Sequence, residues 1–272
     1  MRIEKTYYWP GWLADSSGGK NKFKTQKKLF GQIQIYLWRA LNIYDDFLDG
    51  EGQPEKLPLA NRYFRNFLTA IYNLKLPVYF YKWAETKLFD LEKANQEEAK
   101  NKKIKINQGL INLPKNLPKF NNLVKLSNKS LALSIAPIAL LIKTGLIKNK
   151  INLKKFNNLF KYALAAKQLA DDAYDWLEDL KAGRITAVNV LILSAAKNKK
   201  LKINLKKKPE LAYLLFAEAA AEKTCYYILN LCAQARNEAE QINMDNTAPI
   251  ITKLINPLEQ AAQKALNFKK ML

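Results

Sequence analysis

One acidic row in the sequence has the spacing that would place carboxylates along a single helix face. Asp171, Asp175 and Asp179 are spaced four apart on that face, and Asp172 and Glu178 are the neighbouring carboxylates of the row. Residues four apart stack on one side of an α-helix, and like charges at that spacing destabilise it by roughly 0.2–0.5 kcal/mol per pair. Only Lys181 and Arg184 lie close by in the sequence to offset this repulsion. A carboxylate row without interleaved basic residues predicts bound cations.

A second, shorter acidic row follows a long run of apolar residues at helical spacing. It consists of Asp45, Asp46 and Asp49. Asp45 and Asp49 would again share a helix face. Hard carboxylate oxygens suit Mg²⁺, which prefers one or two carboxylates together with phosphate oxygens and water. Two such rows facing each other across a helical bundle would form a magnesium site, whereas the alternative interpretation makes each row a solvated helix face.

The composition excludes several kinds of chemistry. The chain of 272 residues contains no histidine, which rules out histidine-based acid–base catalysis, Ser-His-Asp triads and histidine-ligated metals. Cys225 and Cys232 are seven positions apart on one predicted helix. Their Cα atoms would be about 10 Å apart, which is too far for a disulfide. We therefore expect two buried free thiols and a cytoplasmic protein.

The chain is strongly basic, with a formal net charge of +21. Lysines cluster at 101–107 and 197–208. Such charge can attract nucleic acid, anionic lipid or diphosphate. No nucleic-acid-binding motif accompanies it, so we interpret the runs as solvated loops and do not expect nucleic acid as a partner.

Apolar periodicity predicts helices throughout and no strand of appreciable length. The predicted helical regions are about 24–49, 59–98 with a break at Pro77, 123–146, 153–182, 209–240 and 247–270. Loops are predicted at 16–20 and 101–119. The apolar stretch 130–142 is too short to cross a bilayer and should be a buried core helix. We expect a single all-α domain spanning 1–272.

The two rows resemble the motifs of the class I isoprenoid synthases, most closely the trans-polyprenyl diphosphate synthases. The family's D-D-x-x-D stands at 45–49, and its Q-x-x-D-D-x-x-D stands at 168–175 and begins with Gln168. Its Lys-Thr pair is matched by Lys129 and Ser130. Two weaker echoes are the later G-K-x-T, seen here with Arg184 in its second position, and an N-terminal G-G-K that ends at Lys20.

The resemblance implies a helical bundle around a central cavity, in which two or three Mg²⁺ ions bridge the rows while an allylic isoprenoid diphosphate ionises. It implies catalytic roles for Asp45, Asp49, Asp171 and Asp175, with metal binding extended to Asp46, Asp172 and Asp179. Lys129, Arg184 and Lys20 would contact phosphate, and Gln168 would orient a metal-bound water or the cation's partner. Leu41, one turn below Asp45, would line the path of the prenyl chain and favour about fifteen to twenty carbons.

Several alternatives stay open. The family follows its first motif with Arg-Arg-Gly, but this chain has Gly-Glu-Gly-Gln-Pro at 50–54, which leaves the use of isopentenyl diphosphate open. Squalene and phytoene synthases carry D-x-x-x-D-x-x-x-G-R, which 175–184 also fits, and terpene cyclases share the first motif. A catalytically inactive helical protein that binds lipid or nucleic acid is the alternative from another class. A homodimer and peripheral membrane association through a lipid product are compatible with the family.

Overall fold

The computed structural model describes residues 3–100, 104–114, 116–118, 120–216 and 219–270. Within these ranges the regular structure is helical apart from one short hairpin and an isolated bridge. The all-α fold class predicted from the sequence is therefore confirmed.

The helices are bounded as follows in chain order: α1 (Ile3–Tyr7), α2 (Trp9–Ala14), α3 (Lys24–Asp49), α4 (Leu57–Asn73), α5 (Val78–Lys100), α6 (Ile135–Lys143), α7 (Lys150–Tyr174), α8 (Trp176–Lys181), α9 (Ala187–Asn198), α10 (Lys208–Phe216), α11 (Ala220–Glu240) and α12 (Asn256–Lys270). Short 3₁₀ or π turns occupy Asp15–Gly19, Pro54–Lys56, Leu123–Lys129, Leu131–Ser134 and Ile251–Ile255. The hairpin pairs β1 (Lys105–Asn107) with β2 (Leu110–Asn112) in antiparallel register.

The hairpin is the clearest departure from the expected secondary structure, because 101–119 was predicted to be an exposed loop. Its turn residues Gln108 and Gly109 both have positive φ, at 51° and 86°. Two consecutive residues with positive φ make the tight turn that joins antiparallel strands. Ile111 on β2 is buried, and its backbone N–H donates to the carbonyl of Ile203. The loop prediction failed because it considered charge and proline content but not this turn.

Two other predicted boundaries need correction. The region 123–146 begins with two 3₁₀ turns and becomes α-helical only at Ile135. The predicted loop at 16–20 lies almost entirely in a π turn in which the Ser16 and Ser17 hydroxyls donate to carbonyls four positions back. The helix α9 (Ala187–Asn198) was not predicted from the sequence.

The chain divides into two compact units, each built from separate segments: 1–99, 128–161 and 235–254 in the first, and 100–127, 162–234 and 255–272 in the second. In the first unit, α3 packs against α4 and also contacts α1, α2 and α6. The α1 contact is close, since a Cβ at Gly31 would lie 2.8 Å from the carbonyl oxygen of Tyr7. Trp9, Leu37 and Phe67 are fully buried in this core.

The most apolar segment of the chain is buried in the first unit. Every residue from Leu131 to Ile142 is buried, which confirms the prediction of a core helix for this stretch. Among the described residues no single helix is long and apolar enough to span a membrane; only the bent pair Leu123–Lys129 and Leu131–Lys143 meets that criterion together, with a 72° bend.

In the second unit, α9 contacts both α8 and α10. The Thr186 hydroxyl caps α9 by accepting the backbone N–H of Asn189 at 3.2 Å, which is the ordinary way to satisfy a free donor in the first turn of a helix. Cys225 and Cys232 are buried and unbridged, as predicted.

Candidate functional site

The first aspartate row lies at the C-terminal end of α3, which runs from Lys24 to Asp49 as predicted. Gly50 ends the helix in the left-handed conformation, with φ 81°, and the N–H of Glu51 reaches back to the carbonyl of Asp46 at 2.8 Å. This is the usual glycine-terminated helix end. The C-terminus of a helix carries partial negative charge, so carboxylates there are electrostatically disfavoured and a cation is favoured. All three aspartates of the row are exposed.

A lysine far along the chain reaches this row. Lys129 Nζ lies 3.6 Å from Asp45 Oδ1 and 2.6 Å from Glu98 Oε2. All three residues belong to the first unit. The sequence had assigned Lys129 to the site only through its distance from the second motif, whereas the structure brings it to the first.

Glu98, which contacts Lys129 in this cluster, was not predicted from the sequence. It occupies the last turn of α5, in a stretch of mixed acidic and basic residues that resembles any solvated helix face. Its Oε2 atom is shielded from solvent although the side chain as a whole is 39% exposed. No spacing pattern connects Glu98 with Lys129, so only the tertiary fold reveals the pair.

The charges in this cluster shift one another's protonation equilibria. Desolvation raises the pKa of Asp45 above its ordinary value; the Lys129 ammonium opposes this, and the carboxylates of Asp49 and Glu98 add to it. Burial lowers the pKa of Lys129, but the neighbouring carboxylates, Glu98 first and then Asp45, outweigh that and leave the pKa raised. The surroundings of the first row thus disfavour the ionised form of Asp45 and favour the protonated form of Lys129.

The residues around the row set its surroundings within the first unit. The ring of Phe47 packs so closely on the turn after α3 that a Cβ at Gly52 would lie 2.5 Å from its Cγ. Leu41 is half-buried, while Leu37, one turn further from the row, is completely buried. The helix face below Asp45 therefore passes from partly accessible to core within one turn.

The second row does not form one uninterrupted helix face. The backbone leaves α7 after Tyr174, and Asp175 takes φ −95° and ψ 8° before α8 begins at Trp176. Asp171 is exposed and Asp175 is half-buried, whereas Asp172 and Asp179 are buried. The prediction of a continuous stack at four-residue spacing is corrected accordingly, although the N–H of Asp175 and of Asp179 still bonds to the carbonyl four positions back.

The expectation that the second row lacks local counter-charge is also wrong. Lys167, one turn before Asp171, forms a salt bridge with it. Gln168 Nε2 donates to Asp172 Oδ1 at 2.9 Å. The amide that the resemblance assigned to a metal-bound water is thus engaged within its own helix.

Asp179 and Arg184, both predicted to contact metal or substrate, contact each other. Arg184 Nε donates to Asp179 Oδ1 at 2.8 Å, and the Arg184 N–H donates to the Asp179 carbonyl at 2.8 Å. The Asn189 amide donates to the Arg184 carbonyl at 3.3 Å. Gly183 allows the chain to turn here, with φ 74° and no room for a Cβ, which would lie 2.8 Å from the Ile104 carbonyl oxygen. The expected contacts of Asp179 with metal and of Arg184 with phosphate stay predictions.

Lys20, which the resemblance assigned to phosphate, is exposed after the π turn at Asp15–Gly19. Its charge acts on Asp245 in the same unit, where it helps the Thr247 hydroxyl and backbone N–H to hold the pKa of that carboxyl below its ordinary value. Its predicted role is not tested by this placement.

The donor chemistry of the rows fits magnesium. In the described part of the chain, no three aspartate, glutamate, cysteine or histidine side chains lie close enough together to hold a metal ion on their own. Magnesium does not require such a cage, because it binds through one or two carboxylates and completes its shell with water and phosphate. Asp45 and Asp49 supply such oxygens. Since the first row lies in one unit and the second row in the other, a shared cavity between them stays a prediction.

A cavity of about 390 Å³ lies within the second unit. Its wall is largely apolar and includes Phe120, Leu169 and Leu191, with Ser194 and Tyr227 among the polar lining residues. The volume falls in the range of small-molecule pockets. Leu169 directly follows Gln168, but none of the predicted site residues lines this cavity.

Comparison with known proteins adds no relative to this picture. No protein-family model matches the sequence, and no curated protein matches it.

Proposed function

We propose that the protein is a magnesium-dependent prenyltransferase that ionises an allylic isoprenoid diphosphate between its two aspartate rows. The observation that carries the proposal is the position of Lys129 beside Asp45. The motif resemblance assigned Lys129 to the diphosphate and Asp45 to the metal. These two residues are far apart in the sequence, yet their side chains lie close together. A row of solvated surface aspartates would not require this convergence.

Each row contributes residues to the proposed reaction. Asp45 and Asp49 would hold the metal at the first row, and Asp171 and Asp175 at the second. When bound, Mg²⁺ supplies positive charge that neutralises the leaving diphosphate. The Lys129 ammonium would donate charge-assisted hydrogen bonds to the phosphate oxygens, and Arg184 would do so with a planar donor group. Lys20 and Gln168 would add contacts at the edge of the substrate.

The turn after α3 makes allylic ionisation the core of the proposal. The resembled family has Arg-Arg-Gly after its first motif, where this chain has Gly-Glu-Gly-Gln-Pro, and Gly52 packs under the ring of Phe47 with no room for a side chain. Isopentenyl diphosphate as second substrate, which the resemblance also implies, has no comparable observation behind it. The proposed elongation reaction is therefore the part that the experiment should separate from ionisation.

The test is to incubate the purified protein with Mg²⁺ and farnesyl or geranylgeranyl diphosphate, with and without isopentenyl diphosphate. Release of inorganic diphosphate and the organic products are both measured, and chelation of the metal is the control. Metal-dependent release supports the proposal, and a longer prenyl diphosphate in the presence of isopentenyl diphosphate identifies elongation. Without it, a product with twice the carbon number identifies coupling, and a cyclic hydrocarbon or alcohol identifies cyclisation. If no diphosphate is released under any condition, the proposed function is wrong.

A further inference from the structure

Beside the first row lies one acidic residue whose role the proposed function does not explain. Glu98 comes from α5 rather than from α3, and its Oε2 atom is shielded from solvent. Its 2.6 Å contact with Lys129 Nζ is a full ion pair, whereas the 3.6 Å contact between Lys129 and Asp45 is near the upper limit for one. Glu98 is therefore the main ion-pair partner of the Lys129 ammonium.

We propose that Glu98 is a positioning residue that holds Lys129 beside the first row while keeping Asp45 available to a divalent cation. This inference rests on the proposed function, because it concerns the same cation. It assigns Glu98 no contact with substrate or metal, and its effect passes through the lysine.

The physical basis is competition between two cations for one carboxylate. The Lys129 side chain is only 28% exposed, so its charge needs a close anionic partner. Without Glu98, the nearest such partner in this ion-pair cluster would be Asp45, and a direct Lys129–Asp45 pair would occupy the oxygen that the metal needs. With Glu98 present, the ammonium is satisfied at a carboxylate oxygen that is shielded from solvent, and the more exposed Asp45 remains open.

The arrangement also explains how one lysine can serve both metal-free and substrate-bound protein. Pairing with Glu98 fixes Nζ within reach of the row before any ligand arrives, which lowers the ordering cost of a later phosphate contact. If Lys129 were paired only with Asp45, that ion pair would have to break before Asp45 could bind the metal.

The experiment measures Mn²⁺ binding, as a spectroscopic substitute for Mg²⁺, by the electron paramagnetic resonance signal of the free ion. Four proteins are compared: wild type, Glu98→Gln, Lys129→Met and the double variant. Glu97→Gln is the matched control, since it removes the same charge from the adjacent, exposed position on α5. Circular dichroism checks the fold of each, and Glu98→Asp provides a second, conservative variant.

Glu98→Gln is expected to weaken Mn²⁺ binding by about three- to ten-fold, and Lys129→Met to leave it equal or stronger. In the Lys129→Met background the Glu98→Gln change should cost less than about two-fold, because the residue through which it acts is gone. Glu97→Gln should have little effect, and Glu98→Asp should recover part of the loss.

Equal costs in both backgrounds would mean that Glu98 acts as a ligand or through its charge alone, and would overturn the inference, as would an unchanged affinity in Glu98→Gln. Failure of wild-type protein to bind Mn²⁺ at millimolar concentration would overturn it as well. None of these readings uses turnover. If the four proteins show the expected Mn²⁺ affinities but the wild type releases no diphosphate, only the proposed function is contradicted.

Discussion

At the end of α3 the aspartates are exposed and Asp45 lies beside Lys129, from a distant part of the chain, whereas Asp171 and Asp179 of the second row find basic partners within five positions along their own backbone. Lys167 pairs with Asp171, and Arg184 pairs with Asp179. Two carboxylates of the second row are therefore paired locally, whereas Asp45 of the first row is paired through a tertiary contact. From this difference we expect the first row to be the one more receptive to an added cation.

The largest expected effect comes from deleting one carboxylate of each row. In Asp45→Ala and in Asp171→Ala, metal-dependent diphosphate release should fall by on the order of 100-fold, the usual consequence of removing one preorganised stabiliser of developing charge. Glu51→Ala is the matched control, as it removes an exposed acid just beyond the first row. Near-full activity in Asp45→Ala would break the assignment of the first row, and near-full activity in Asp171→Ala would break that of the second.

A smaller effect should separate the two pairs within the second row. Asp179→Asn is expected to lower the free energy of unfolding by about 1.5–3 kcal/mol, because a buried carboxylate that accepts from Arg184 is lost. Asp171→Asn should lower it by less than about 0.5 kcal/mol, since its pair with Lys167 is an exposed i,i+4 contact. Urea denaturation measures both. Equal destabilisation would contradict the distinction between a structural pair at Asp179 and a solvated pair at Asp171.

The smallest expected effect concerns pH and the first row. Because the pKa of Asp45 is raised by desolvation, the folded protein holds this proton more tightly than the unfolded chain does. Stability from this group is therefore present below its ordinary pKa of 3.8 and is lost as the pH rises through the raised value. Asp45→Asn, without divalent metal, should be more stable than wild type at neutral pH by less than about 1 kcal/mol, since the side chain is 55% exposed.

The gain from Asp45→Asn should vanish when unfolding is measured near pH 3, where the wild-type carboxyl is protonated in both states. Asp46→Asn, which removes the same charge one residue along α3, is the comparison variant. A gain that persists at pH 3 would show that the amide stabilises the protein by some route other than charge.

Particular residues show how far the sequence could predict the structure. The bounds of α3 followed from its apolar spacing and from Gly50, whose freedom to take positive φ ends the helix. The buried stretch at 131–142 followed from composition alone. The break at Asp175 could not be predicted, because the carboxylate spacing is compatible with either a continuous or an interrupted helix. The Lys167–Asp171 pair, by contrast, is at i,i+4 spacing and is predictable from the sequence.

The sequence by itself determined the helical class, the two rows of carboxylates, the exclusion of histidine chemistry and the two unbridged thiols, because each depends on residue type and on spacing along a few turns. Only the tertiary structure decided which basic group lies beside the first row. The Lys129–Glu98 and Lys129–Asp45 contacts join residues with no local relation in the sequence. The sharing of one ammonium between two carboxylates arises because the side chains of Asp45, Glu98 and Lys129 meet in the folded first unit, and no one-dimensional pattern encodes it.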